Sequence, residues 1–151
     1  MNYITDDNII IFSPHYNEPL DSELNIQNYT KIIFSNWGLN GELHDGLFEA
    51  FKNGLFEAYE NENDNNGLKN FNYVYSKFNH PLSNSLSKSN LIFLTHIIFG
   101  HSFNFPLSNS LDNCTTLTHI LFGAEFNKPL DNSLHNLQSL THINFGNNFN
   151  Q

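Results

Sequence analysis

Apolar positions in the second half of the chain recur at intervals that suit neither a helix nor a strand alone. From Phe103 they fall at Phe103, Leu107, Leu111, Cys114, Leu117, Ile120 and Phe122. The steps are four, four, three, three, three and two residues. A helix face needs steps of three and four throughout, and a half-buried strand needs steps of two. The mixed series instead predicts a coil that turns its side chains inward once per circuit. Its closing step of two, Ile120 to Phe122, predicts a short strand. The PLxxSL step, with proline near its start and leucines four apart, predicts a turn or a short 3₁₀ or α helix on the opposite side.

The same series recurs. Phe126 to Gly146 reads FNKPLDNSLHNLQSLTHINFG, and Phe78 to Gly100 reads FNHPLSNSLSKSNLIFLTHIIFG. Phe78, Phe103, Phe126 and Phe149 open successive blocks at spacings of 25, 23 and 23 residues. Self-similarity at such a period marks a repeat solenoid. One coil cannot bury its own apolar face. Stacked coils share one core, with short parallel strands about 4.8 Å apart on one side.

Upstream, the pattern weakens in stages. Residues 1–43 read as divergent N-terminal repeats and a cap: Ile10, Ile11 and Phe12 precede Tyr16 as Ile97, Ile98 and Phe99 precede Phe103. Tyr16 to Phe34 is a divergent block, with Pro19-Leu20 and Tyr29-Thr30-Lys31-Ile32-Ile33-Phe34 in the places of PL and LTHIIF. Leu39-Asn40 stands where a further unit would open. Residues 44–66 fit no block and read as an insertion. Leu47, Phe51, Leu55 and Tyr59 lie on one face of an amphipathic helix, followed by an acidic loop from Glu60 to Gly67. Residues 67–151 are the regular repeats, entered through the alternation of Phe71, Tyr73 and Tyr75. The whole reads as one repeat domain.

The shared pattern LTHIxFGxxFNxPLxxSL resembles the FNIP repeat, a leucine-rich-repeat variant abundant in amoebae and giant viruses. The match is close over residues 78–151 and looser over 10–40, and it fails over 44–66. The resemblance implies a leucine-rich-repeat-like, curved or twisted solenoid used for protein–protein contact, in a viral protein among other settings. Some viral relatives join an F-box to such repeats and look like ubiquitin-ligase adaptors. Here there is no room for a complete F-box before Tyr16.

Composition narrows the partner. The formal charge is -9, with six lysines and no arginine. Phosphate recognition needs a basic surface, so neither nucleic acid nor an anionic membrane surface is expected as a partner. The N-terminus lacks a basic leader and no apolar run would span a bilayer, so the expected location is cytoplasmic. Most of the acid lies in residues 1–64, which favours a basic protein partner on that side. The chain is rich in asparagine, and fifteen phenylalanines supply most of its aromatic core.

Candidate chemistry is sparse. His96, His119 and His142 stand 23 residues apart and should form a column on the outer sheet face, continued by Lys31. Ile98, Leu121 and Asn144 should form the neighbouring column, continued by Ile33. These eight residues are the predicted partner-binding surface: structural where covered, a partner face where open. A histidine column is also metal-capable, but no carboxylate recurs beside it, so no metal is predicted. Asn17, Asn79, Asn104, Asn127 and Asn150 are expected to satisfy backbone groups at the bend after each strand. Cys114 occupies the slot of Leu91 and Leu137 and should be a core residue without a base beside it. Glu62, Asp64, Asn66 and Gly67 begin like a calcium loop, but Tyr73 stands where the bidentate glutamate belongs. No catalytic residue and no cofactor is predicted. The expected function is a non-catalytic scaffold binding a protein, such as a host protein, with substrate recognition for a ubiquitin ligase as one form of it. The alternative is a structural protein that forms homo-oligomers through exposed solenoid ends.

Overall fold

The structure, a computed structural model, describes residues 2–6, 8–20, 24–34, 37–38, 72–73, 76–82, 86 and 91–151. It is a parallel-strand β-solenoid of about four turns. Eight strands are present among these residues: β1 (Tyr3–Asp6), β2 (Ile9–Phe12), β3 (Lys31–Phe34), β4 (Trp37–Gly38), β5 (Asn72–Tyr73), β6 (His96–Ile98), β7 (His119–Leu121) and β8 (His142–Asn144). Six of them form one sheet in the order β1-β2-β3-β6-β7-β8. From β2 onward every pairing is parallel, in registers that align equivalent repeat positions, such as Ile97↔Ile120 and Ile120↔Ile143. β1 turns back to pair antiparallel with β2 and closes that edge, so the N-terminal residues do cap the stack.

The inward series forms the core as its spacing requires. Phe103, Leu107, Leu111, Cys114, Leu117 and Ile120 are fully buried, and Phe122 is nearly so. Two phenylalanine ladders run along the solenoid side by side. Phe34, Phe99, Phe122 and Phe145 form one, with ring centroids 5.3–6.1 Å apart. Phe78, Phe103, Phe126 and Phe149 form the other, at 5.9–6.0 Å. They meet at closer pairs such as Phe122–Phe126, 3.9 Å. Offset aromatic stacking of this kind adds to the area each ring buries.

Opposite the sheet, among the described residues, the chain runs through successive turns rather than helices. Ser110 N–H donates to Leu107 O, Cys114 to Leu111 O and Leu117 to Cys114 O, each three residues back. The next coil repeats this with Ser133 to Leu130, Leu137 to Leu134 and Leu140 to Leu137. Polar residues between the leucines interrupt the helical path, and a three-residue step returns each leucine to the core. Ser108 and Asp131, directly after the PL step, adopt φ of 48° and 46°.

The stack passes straight from β3 to β6, with Lys31 opposite His96. Asn79 N–H also donates to Asn17 Oδ1 at 3.1 Å, so the coil opened by Phe78 lies on the one opened by Tyr16. β4 and β5, which lie between β3 and β6 in sequence, pair with each other in a separate two-stranded antiparallel sheet. The alternation of Phe71, Tyr73 and Tyr75 thus yields a strand of two described residues, Asn72–Tyr73, outside the main sheet. The expected unit at Leu39-Asn40, the helix of 44–66 and the loop from Glu60 to Gly67 lie outside the described residues.

Candidate interaction surface

The outward positions of a parallel ladder repeat along one line, because register aligns equivalent residues. Lys31, His96, His119 and His142 stand opposite one another in turn. The imidazoles stack face to face, His96 on His119 and His119 on His142, each pair at 4.3 Å and within 8° of parallel. A threonine precedes each histidine. Its hydroxyl lies 2.8 Å from the following Nδ1 and 3.0–3.2 Å from the carbonyl of the preceding threonine in the ladder. Thr95, Thr118 and Thr141 thereby fix the orientation of every ring. This threonine column was legible in the recurring LTHI quartet, yet side-chain type alone gave no role for it.

Parallel rings place their nitrogens side by side, not toward a common centre. Among the described residues no group of three or more His, Cys, Asp or Glu is arranged to hold a metal ion. Burial pushes the His96 imidazole down to about 4, helped by the positive charge that His119, Lys31 and His142 would place beside it. Lys31 is also lowered, by burial.

The second column runs Ile33, Ile98, Leu121 and Asn144. Ile33 and Ile98 are fully buried and Leu121 is 3% exposed, although none of the three belongs to the interior core cluster. The apolar part of the outer face is therefore covered over β3, β6 and β7. Lys31, His96 and His119 are half-buried; at β8, His142 is exposed and Asn144 half-buried. The eight predicted residues do share one face, but its accessible part is the histidine column and the β8 end, not an open isoleucine–leucine strip.

The asparagines behave as a ladder. Asn104, Asn127 and Asn150 each donate their backbone N–H to the Oδ1 of Asn79, Asn104 and Asn127 respectively, at 2.9–3.0 Å. Each side chain thus satisfies a donor of the following coil at the bend. Cys114 is buried, and burial with the neighbouring Asp112 carboxylate pushes its thiol up to about 12. It is a core residue rather than a nucleophile.

Among the described residues no helix is long and apolar enough to cross a membrane. Comparison of the chain with protein families, with curated proteins and with solved structures finds no match.

Proposed function

We propose that this chain is a non-catalytic protein-interaction scaffold acting in the cytoplasm, which engages its partner through the strand face of the solenoid. The observation that carries this reading is the ordered histidine column. Three imidazoles held by threonine hydroxyls form a flat, preorganised aromatic strip, and an ordered surface loses little conformational entropy on binding. Aromatic side chains of this kind are favoured at protein interfaces. The apolar column beside it stiffens the strip from its covered position.

Likeness of the blocks to FNIP repeats supports the same use and adds substrate recognition for a ubiquitin ligase as its specific form. The acidic first half selects for a basic partner.

The test is affinity capture from host-cell lysate with the intact chain and with a His119→Glu, His142→Glu variant. Both side chains lie on the accessible part of the face, so the variant should keep its melting transition. A partner held by the intact chain and lost by the folded variant supports the strand face. Equal capture by both overturns it.

A further inference from the structure

The two ends of the solenoid differ. At the β1 end the core is sealed: Ile10, Phe12, Leu20 and Ile26 are all buried. At the β8 end it is open. Leu134, Leu140 and Phe149 are only partly buried, and Ile143, whose counterparts Ile97 and Ile120 are fully buried, is 36% exposed. The β8 edge is also unpaired in the sheet order. His142 N–H donates to Thr118 O at 3.0 Å and Asn144 O accepts from Phe122 N–H at 2.9 Å, so both residues face β7. By strand alternation the N–H and C=O of Ile143 face away from the sheet.

We infer that a second copy of this chain docks on this end, with β8 pairing antiparallel to its counterpart around a two-fold axis at Ile143. This inference is independent of the strand-face reading. Three observations select the occupant. The pairing is self-complementary: one outward donor and one outward acceptor on Ile143 match the same two groups on the partner, as an isologous interface requires. It also joins two half-open cores, whereas the sealed β1 end offers none. Charge permits it here above all: residues 126–151 carry one lysine, Lys128, and one Asp, Asp131, which cancel, while the chain as a whole carries -9. The molecule already uses the same device at its other end, where the antiparallel strand β1 closes the parallel ladder. In the dimer, a strand of the second copy does for β8 what β1 does for β2.

The test is the mass of the 151-residue chain by sedimentation velocity between about 1 µM and about 1 mM, a range that spans weak to moderate self-association. A mass that doubles with concentration and returns to that of the monomer in Ile143→Lys, with the melting transition kept, is the expected result. Ile143→Cys, a smaller apolar change, gives a second reading. Under mild oxidation it should form a covalent dimer through residue 143, whereas the parent chain, whose only cysteine is the buried Cys114, should not. A mass that stays monomeric over the whole range overturns the proposal. So does growth beyond two copies, which would mean head-to-tail joining, or a Cys variant that remains uncrosslinked where the parent is dimeric.

Discussion

Neutral imidazoles stack without charge repulsion; protonated ones at 4.3 Å do not. His96 is held at about 4 in the folded chain against an ordinary value near 6.5. The unfolded chain therefore binds more protons between those values, and stability rises with pH across that window. It is fully present above about pH 6.5 and is lost as pH falls toward 4. Partial contact with solvent reduces the effect to the order of 1 kcal/mol. Thermal melting at pH 7.5 and 5 should show a lower midpoint at the acid value, and His96→Gln should flatten the difference. An unchanged midpoint in the parent chain would exclude the stack as an acid-sensitive element. Gly123 poses a second residue-scale demand. A Cβ there would run into the carbonyl of Gly100 in the preceding coil, which is backbone and cannot swing aside. Gly123→Ala should cost about 2–4 kcal/mol in denaturant unfolding, as overpacking against a fixed neighbour does.

Within one coil, the bend after the strand and the turn after PL set the path. Removing the Asn104 side chain leaves the backbone N–H of Asn127 without its acceptor. Asn104→Leu should destabilise by about 1–3 kcal/mol, while Asn104→Asp, which keeps an oxygen, should cost clearly less. Chemical denaturation of the pair checks this. At the turn, Ser108 sits at φ 48°. Ser108→Gly should raise the melting point slightly, by about 0.5 kcal/mol, and Ser108→Val should lower it by about 1–2 kcal/mol, because a branched side chain resists that conformation. The period, the inward series, the strands and the histidine and asparagine columns were all legible, since a repeat writes each position several times. The turns in place of helices were not, because four-residue leucine spacing suits both. Nor was the covering of Ile33, Ile98 and Leu121. Outward-facing residues of a sheet look alike in sequence whether or not another layer lies over them.

For the molecule as a whole, stability is a sum over coils and their contacts, so it need not be uniform along the stack. Ile97 and Ile120 are shielded on both sides, but Ile143 is not. In dilute solution, hydrogen exchange should be slowest at β6 and β7 and faster at β8. Equal protection along the stack would contradict that gradient. Net charge belongs to this scale too. The acid is concentrated upstream and residues 126–151 are balanced, so added salt should promote self-association by screening the bodies while leaving the neutral ends unaffected.

The direct passage from β3 to β6 also governs how the chain finds its fold. Lys31 meets His96 across 65 residues, whereas His96 meets His119 across 23. Closing the longer loop costs about 0.9 kcal/mol more in chain entropy, since the cost grows as three-halves RT times the logarithm of loop length. The coils bearing β6, β7 and β8 therefore assemble first as a local nucleus, and β2 with β3 join it later. Substitutions at Ile120 should slow folding, and substitutions at Ile32 should chiefly speed unfolding. A chain that reads as one continuous spring along its axis is thus built in two acts, with the join at the place where its repeat is broken.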